Sequence, residues 1–134
     1  MAVVGACASG KTTLVDMLRE RGIRAFSLAQ EHSSAPSLYL RGAPDYVVYL
    51  DVSYEEIRRR RRINWGPERL QAQKMRLRRS MEDADLVICT DGVEPSRVCD
   101  LVVRYLEEEG EVIIETDIGQ LERRCGDHCL PGAR

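Results

Sequence analysis

The segment Met1-Ala2-Val3-Val4-Gly5-Ala6-Cys7-Ala8-Ser9-Gly10-Lys11-Thr12-Thr13-Leu14 decides how the chain is read. Four apolar or small residues enter a glycine turn. The turn then opens a pattern in which Leu14, Val15 and Leu18 recur at helical spacing up to a stop at Gly22. Gly5 to Thr12 fits G-x-x-x-x-G-K-[ST] at each fixed position, and a strand before it with a helix after it is the setting in which that pattern binds phosphate. The glycines let the backbone curl so that successive N–H groups, here those from Ala6 to Thr12, converge as an anion nest, and the helix opening near Lys11 adds its positive end. Lys11 has the length to reach between the β- and γ-phosphates of a nucleoside triphosphate such as ATP, and the Thr12 hydroxyl can take one position on Mg²⁺. Gly5, Ala8, Ser9, Gly10, Lys11, Thr12 and Thr13 are therefore the expected nucleotide-binding set. The plain alternative, a glycine turn that happens to precede a helix, does not account for the lysine. Of the 20 basic residues only Lys11 and Lys74 are Lys and 18 are Arg, so a position that keeps Lys wants the slimmer ammonium.

Outward from this loop, strand and helix patterns alternate. Ile23–Leu28 reads as a second strand, Ser37–Arg41 as a turn or two of helix between Pro36 and Gly42, and Tyr46–Leu50 as a continuous apolar strand of the kind buried on both faces of a parallel sheet. Ser53 is placed to cap the next helix, which carries Glu55 and Glu56 in its first turn and Arg58–Arg62 toward its end. Pro67 begins another helix, Glu68–Ala84, with Leu70, Leu77 and Ala84 on a narrow stripe and the rest expected in solvent. Leu86–Cys89 is a further strand, Pro95–Glu109 an amphipathic helix ended by Gly110, and Val112–Ile114 one more strand. The pattern predicts an α/β fold in three layers, α/β/α, with a mainly parallel sheet of four or five strands in a single domain over residues 1–119, followed by a polar tail over 120–134.

Composition narrows the function. With 134 residues, 43% hydrophobic and 31% charged, the chain can bury one sizeable core without disulfides. No apolar run is long enough for a membrane span and no secretory leader opens the chain, so no membrane and a cytoplasmic location are expected. The net charge of −2 argues against bulk nucleic-acid binding, although it conceals a basic middle, Arg41–Arg79, and an acidic end. Cys7, Cys89 and Cys99 sit in or beside apolar segments and read as small buried hydrophobes in a reducing compartment. Cys125, His128 and Cys129 offer three zinc ligands where a closed structural site needs about four, so they read as tail.

From Met1 to Glu109 the sequence resembles the P-loop kinases of the nucleoside-monophosphate-kinase type, a group that includes adenylate, shikimate, gluconate and dephospho-coenzyme A kinases. The resemblance rests on GACASGKTT at 5–13, on VVYLDVSYEEIRRRRR at 47–62, similar to the strand and helix that lead into their mobile lid, and on ADLVICTDGVEPSRV at 84–98, similar to their last strand and helix. It implies a P-loop NTPase fold, ATP and Mg²⁺ at the loop (the Walker A motif), a lid over about 58–80 whose Arg60 or Arg61 contacts phosphate, and transfer of the γ-phosphoryl group to an unidentified small-molecule acceptor. Glu31, just past the second strand, stands where a parallel sheet presents groups to ligand, and reads as the base for an acceptor hydroxyl. Asp51 has two readings: second Mg²⁺ anchor, or support for the step into the following helix. Trp65 either stacks on a base or packs the loop, and His32 reads as a surface residue. The chain departs from the group between Leu28 and Tyr46, where about 17 residues replace an acceptor-binding insert. The acceptor pocket is therefore minimal, supplied by a second subunit of a homodimer, or absent. In the last case the chain is a nucleotide-binding regulator or degenerate kinase without phosphotransfer.

Overall fold

The computed structural model describes residues 1–109. The fifth strand expected at Val112–Ile114, the tail over 120–134 and the Cys125/His128/Cys129 cluster lie outside them. The elements are β1 (Ala2–Gly5), α1 (Lys11–Glu20), β2 (Phe26–Ser27), β3 (Val47–Asp51), α2 (Tyr54–Arg60), α3 (Pro67–Asp83), β4 (Leu86–Cys89) and α4 (Pro95–Glu109), with single 3₁₀ turns at Gln30–His32 and Leu38–Leu40.

The four strands form one sheet, ordered β2-β1-β3-β4, and every pairing is parallel. Strand side chains alternate between two cores. Val3, Val48, Leu50, Leu86 and Ile88 meet Leu14, Val15 and Leu18 of α1 and Val98, Leu101 and Val102 of α4. Ala2, Val4, Val47, Tyr49 and Val87 meet Ile57 of α2 and Leu70, Leu77 and Met81 of α3. Helices thus cover both faces of the sheet, an arrangement compatible with the expected α/β/α layering, and each fully buried aliphatic side chain contributes about 1.5–3 kcal/mol. No described helix is long and apolar enough to cross a membrane.

Local chemistry sets the boundaries. The Ser53 hydroxyl accepts the Glu56 amide at 3.2 Å and starts α2, and Pro67 occupies the first turn of α3. The second strand is shorter than Ile23–Leu28: only Phe26 and Ser27 pair, with β1, and among the described residues β2 lies at the edge of the sheet. Helix α2 stops at Arg60, short of Arg62. In α3 the buried face is wider than a Leu70/Leu77/Ala84 stripe and includes the polar Gln73, Lys74 and Ser80. The Ser80 hydroxyl donates to the Leu77 carbonyl at 2.7 Å. From Pro67 onward, the segment expected to belong to a lid is therefore a helix seated on the sheet.

The order of the strands positions the site. From β1 the chain passes through α1 on one face to β2, and from β3 it passes through α2 and α3 on the other face to β4. The loops leaving the carboxyl ends of the neighbouring β1 and β3 consequently diverge, and they open a crevice where parallel sheets of this kind hold ligands.

Candidate phosphate-binding site

The loop after β1 is shaped by steric exclusion and by two left-handed residues. A Cβ on Gly5 would lie 2.6 Å from the Leu50 carbonyl oxygen and 2.7 Å from Ser9 Oγ, so β1, β3 and the loop pack together only with glycine there. Gly10, at φ +100°, turns the chain into α1, and Ala8 sits at φ +62°, a conformation costly for a residue with a Cβ. Among the described residues no protein acceptor meets the amides of Ala8, Gly10, Lys11, Thr12 or Thr13. Two amides of the expected nest are committed elsewhere: Cys7 N–H donates to Gln73 Oε1 at 3.0 Å and Ser9 N–H to the Ala6 carbonyl at 3.1 Å. The nest is thus narrower than the whole run from Ala6 to Thr12.

This loop lines a cleft of about 660 Å³ whose walls include Cys7 to Leu14, Glu31, Arg60, Arg61, Thr90 and Glu94. Lys11 Nζ donates to the Gly5 carbonyl at 2.7 Å and forms an ion pair with the Glu31 carboxylate. Glu31 is held by a braced 3₁₀ turn. Buried Gln30 donates to the Ala35 carbonyl at 2.8 Å and accepts the Tyr39 amide at 2.9 Å, and Arg76 of α3 donates to the Glu31 carbonyl at 3.1 Å. Two buried oxygens beside the loop, Ser9 Oγ and Glu31 Oε1, have no hydrogen-bond partner among the described residues, which is costly unless something else supplies one. The oxygen donors Thr12 and Glu31 on this cleft suit a hard cation such as Mg²⁺.

The two arginines have different positions. Arg60 is a brace: its guanidinium donates to the Ala8 carbonyl at 2.8 Å and the Thr90 carbonyl at 2.6 Å, and its Nε lies 3.2 Å from Glu56 Oε2. Arg61 lines the same cleft, exposed, with no side-chain partner among the described residues.

Asp51 is placed apart from this group. It is absent from the cleft walls; its carboxylate accepts the Val52 amide at 3.1 Å and lies 3.5 Å from the Lys74 ammonium, both side chains being almost wholly buried. Burial pushes the Asp51 carboxyl above the usual carboxylate range, with Lys74 opposing that shift. Of its two readings, support for the step into α2 is the one this geometry matches, and Asp51 does not line the cleft that holds Thr12. Trp65 packs 6.0 Å from the Tyr54 ring with the Arg69 guanidinium 5.9 Å over its own. Cys99 is the small buried residue expected, whereas Cys7 is partly exposed on the cleft.

Sequence reasoning did not reach Gln73, Lys74, Arg76 or Thr90, which tie α3 and the end of β4 to the loop from far along the chain. The one usable signal was the rarity of lysine. Comparison of the chain with protein-family models, curated proteins and solved structures finds no significant match, so the site rests on its own geometry.

Proposed function

We propose that the chain is a P-loop protein that binds ATP, or another nucleoside triphosphate, with Mg²⁺ and passes the γ-phosphoryl group to a small-molecule acceptor. The observation that carries this reading is the convergence on one cleft of uncommitted loop and helix-end amides, the Lys11 ammonium and the exposed Arg61. All are positive or donor groups, and phosphoryl transfer is catalysed mainly by positioning and charge stabilisation. The amides of Gly10 to Thr13 hold phosphate oxygens at the start of α1. Lys11 exchanges Glu31 for the β- and γ-phosphates, Arg61 stabilises charge on the transferred group, and Arg60 fixes the loop through the Ala8 carbonyl. Thr12 would hold Mg²⁺, which offsets phosphate charge when bound. Glu31, released from Lys11, accepts the proton of an acceptor hydroxyl.

A second reading, a nucleotide-binding regulator without phosphotransfer, draws on the segment between β2 and β3, where the described structure is two single 3₁₀ turns. ADP release measured against a panel of hydroxylated and phosphorylated acceptors separates the two. The kinase reading expects release with some acceptor, its loss in Lys11→Ala, and a fall of about 10²–10⁴-fold in Glu31→Gln. Tight ATP binding with silence across the panel, and Glu31→Gln indistinguishable from wild type, would leave the regulator.

A further inference from the structure

Cys7, Glu31 and His32 bring three different metal-ligating atoms to one point at the edge of the cleft, all within 4.8 Å of one another. Cys7 Sγ is 3.4 Å from His32 Nε2, and the same nitrogen is 3.9 Å from Glu31 Oε2. Tetrahedral coordination, with a metal–sulfur bond of about 2.3 Å and metal–nitrogen and metal–oxygen bonds of about 2.0–2.2 Å, separates its donors by about 3.4–3.6 Å. The sulfur–nitrogen edge already has that length, the exposed His32 ring can shorten the nitrogen–oxygen edge, and the sulfur–oxygen edge, within 4.8 Å, closes only by a shift of Cys7 or Glu31.

We infer that Cys7, Glu31 and His32 form a three-ligand site for a divalent transition metal of the zinc class, with a fourth position left open. A thiolate, an imidazole and a carboxylate suit zinc or cobalt, whereas Mg²⁺ and Ca²⁺ take oxygen donors. A second observation points the same way: Glu31 is buried, and its Oε1 has no hydrogen-bond partner among the described residues. The outer contacts are also in place. Gln73 Nε2 donates to Cys7 Sγ at 3.3 Å while Gln73 Oε1 accepts the Cys7 amide, and Arg76 holds the turn through the Glu31 carbonyl. Binding replaces the thiol proton of Cys7, which leaves to solvent, and uses His32 in the tautomer with its proton on Nδ1. The group that opposes the site is Lys11, whose ammonium sits on the same carboxylate; the Gly5 carbonyl, already 2.7 Å from Nζ, gives it a place to withdraw to. The site does not depend on nucleotide binding, although it shares Glu31 with it. A bound ion would tie the phosphate loop at Cys7 to the 3₁₀ turn.

The test titrates the full chain with Co²⁺, whose thiolate ligation gives a charge-transfer absorption band, and then displaces it with Zn²⁺. Because Cys125, His128 and Cys129 also carry ligand atoms, a C125S/H128N/C129S chain is titrated in parallel. Both proteins are expected to show the band. Cys7→Ser should lose it, and exposed His32→Ala, a variant that disturbs no core, should weaken binding by more than about tenfold, since even an outer-shell partner costs that much. Absence of the band from wild type, its survival in Cys7→Ser, unchanged affinity in His32→Ala, or its loss in the C125S/H128N/C129S chain would overturn the proposal.

Discussion

Lys11 and Lys74, the only lysines in an arginine-rich chain, both meet carboxylates, yet the two pairs belong to different parts of the molecule. Lys74 on α3 reaches Asp51 at the end of β3 inside the core, with side chains 2% and 4% exposed and 3.5 Å between charges. Lys11, at 13% exposure, meets Glu31 on the wall of a cleft and has a second partner in the Gly5 carbonyl. A buried pair has nowhere to go, since separating it strands a charge in a medium that solvates it poorly. The pair on the cleft is exchangeable: an arriving phosphate can replace the carboxylate at Lys11. On the proposed reading, chemically similar contacts serve structure in one place and ligand capture in the other.

That contrast is broken first by substitution at the buried pair. Lys74→Ala should cost about 3–5 kcal/mol in chemical denaturation, by leaving Asp51 unpaired, while Lys74→Met combined with Asp51→Leu should recover most of that loss. Lys11→Ala, with solvent and ligand access beside Glu31, should cost clearly less, and equal losses at the two lysines would erase the distinction. Next in size, Gly5→Ala forces a methyl group against the Leu50 carbonyl and Ser9 Oγ; a loss of about 1–3 kcal/mol is expected, together with weakened nucleotide binding. Ser53→Ala removes only the cap of α2, at about 1 kcal/mol, and should leave nucleotide binding intact.

The smallest effect is a slope with pH. Because burial raises the Asp51 pKa in the folded protein, that protein binds this proton more readily than the unfolded chain does. The contribution of Asp51 to stability therefore rises as pH falls from above its folded pKa to the ordinary carboxylate range, and is flat below it. Comparison of denaturation midpoints against pH for wild type and Asp51→Asn isolates this slope, and identical slopes would contradict it.

How far the sequence was legible follows the same division. Gly5 to Thr12 announced itself because its chemistry is local: a turn, a helix start and a lysine at fixed offsets. β3, β4 and α4 were legible from continuous apolar runs and helical period. The partner of Lys74 was not, since 23 residues and a change of element separate it from Asp51, and although the helical period sets Gln73 and Lys74 on the Leu70–Leu77 face, their polarity reads as solvent-facing. Arg60 and Arg61 could not be separated by spacing, because only the end of α2 decides which guanidinium turns back to the Ala8 carbonyl. Strand β2 was overread because an alternating run does not say how many of its residues will pair.

Whether the loop after β1 binds nucleotide through Lys11 is decided by a thermal unfolding scan of wild type and Lys11→Ala with ATP, GTP or ADP and Mg²⁺. Nucleotide at 100 times its dissociation constant adds about 2.7 kcal/mol, which raises the midpoint by several degrees in a domain of this size. That rise is expected in wild type, and its loss in Lys11→Ala. No shift in wild type with any of the nucleotides, or the same shift in both proteins, would contradict it.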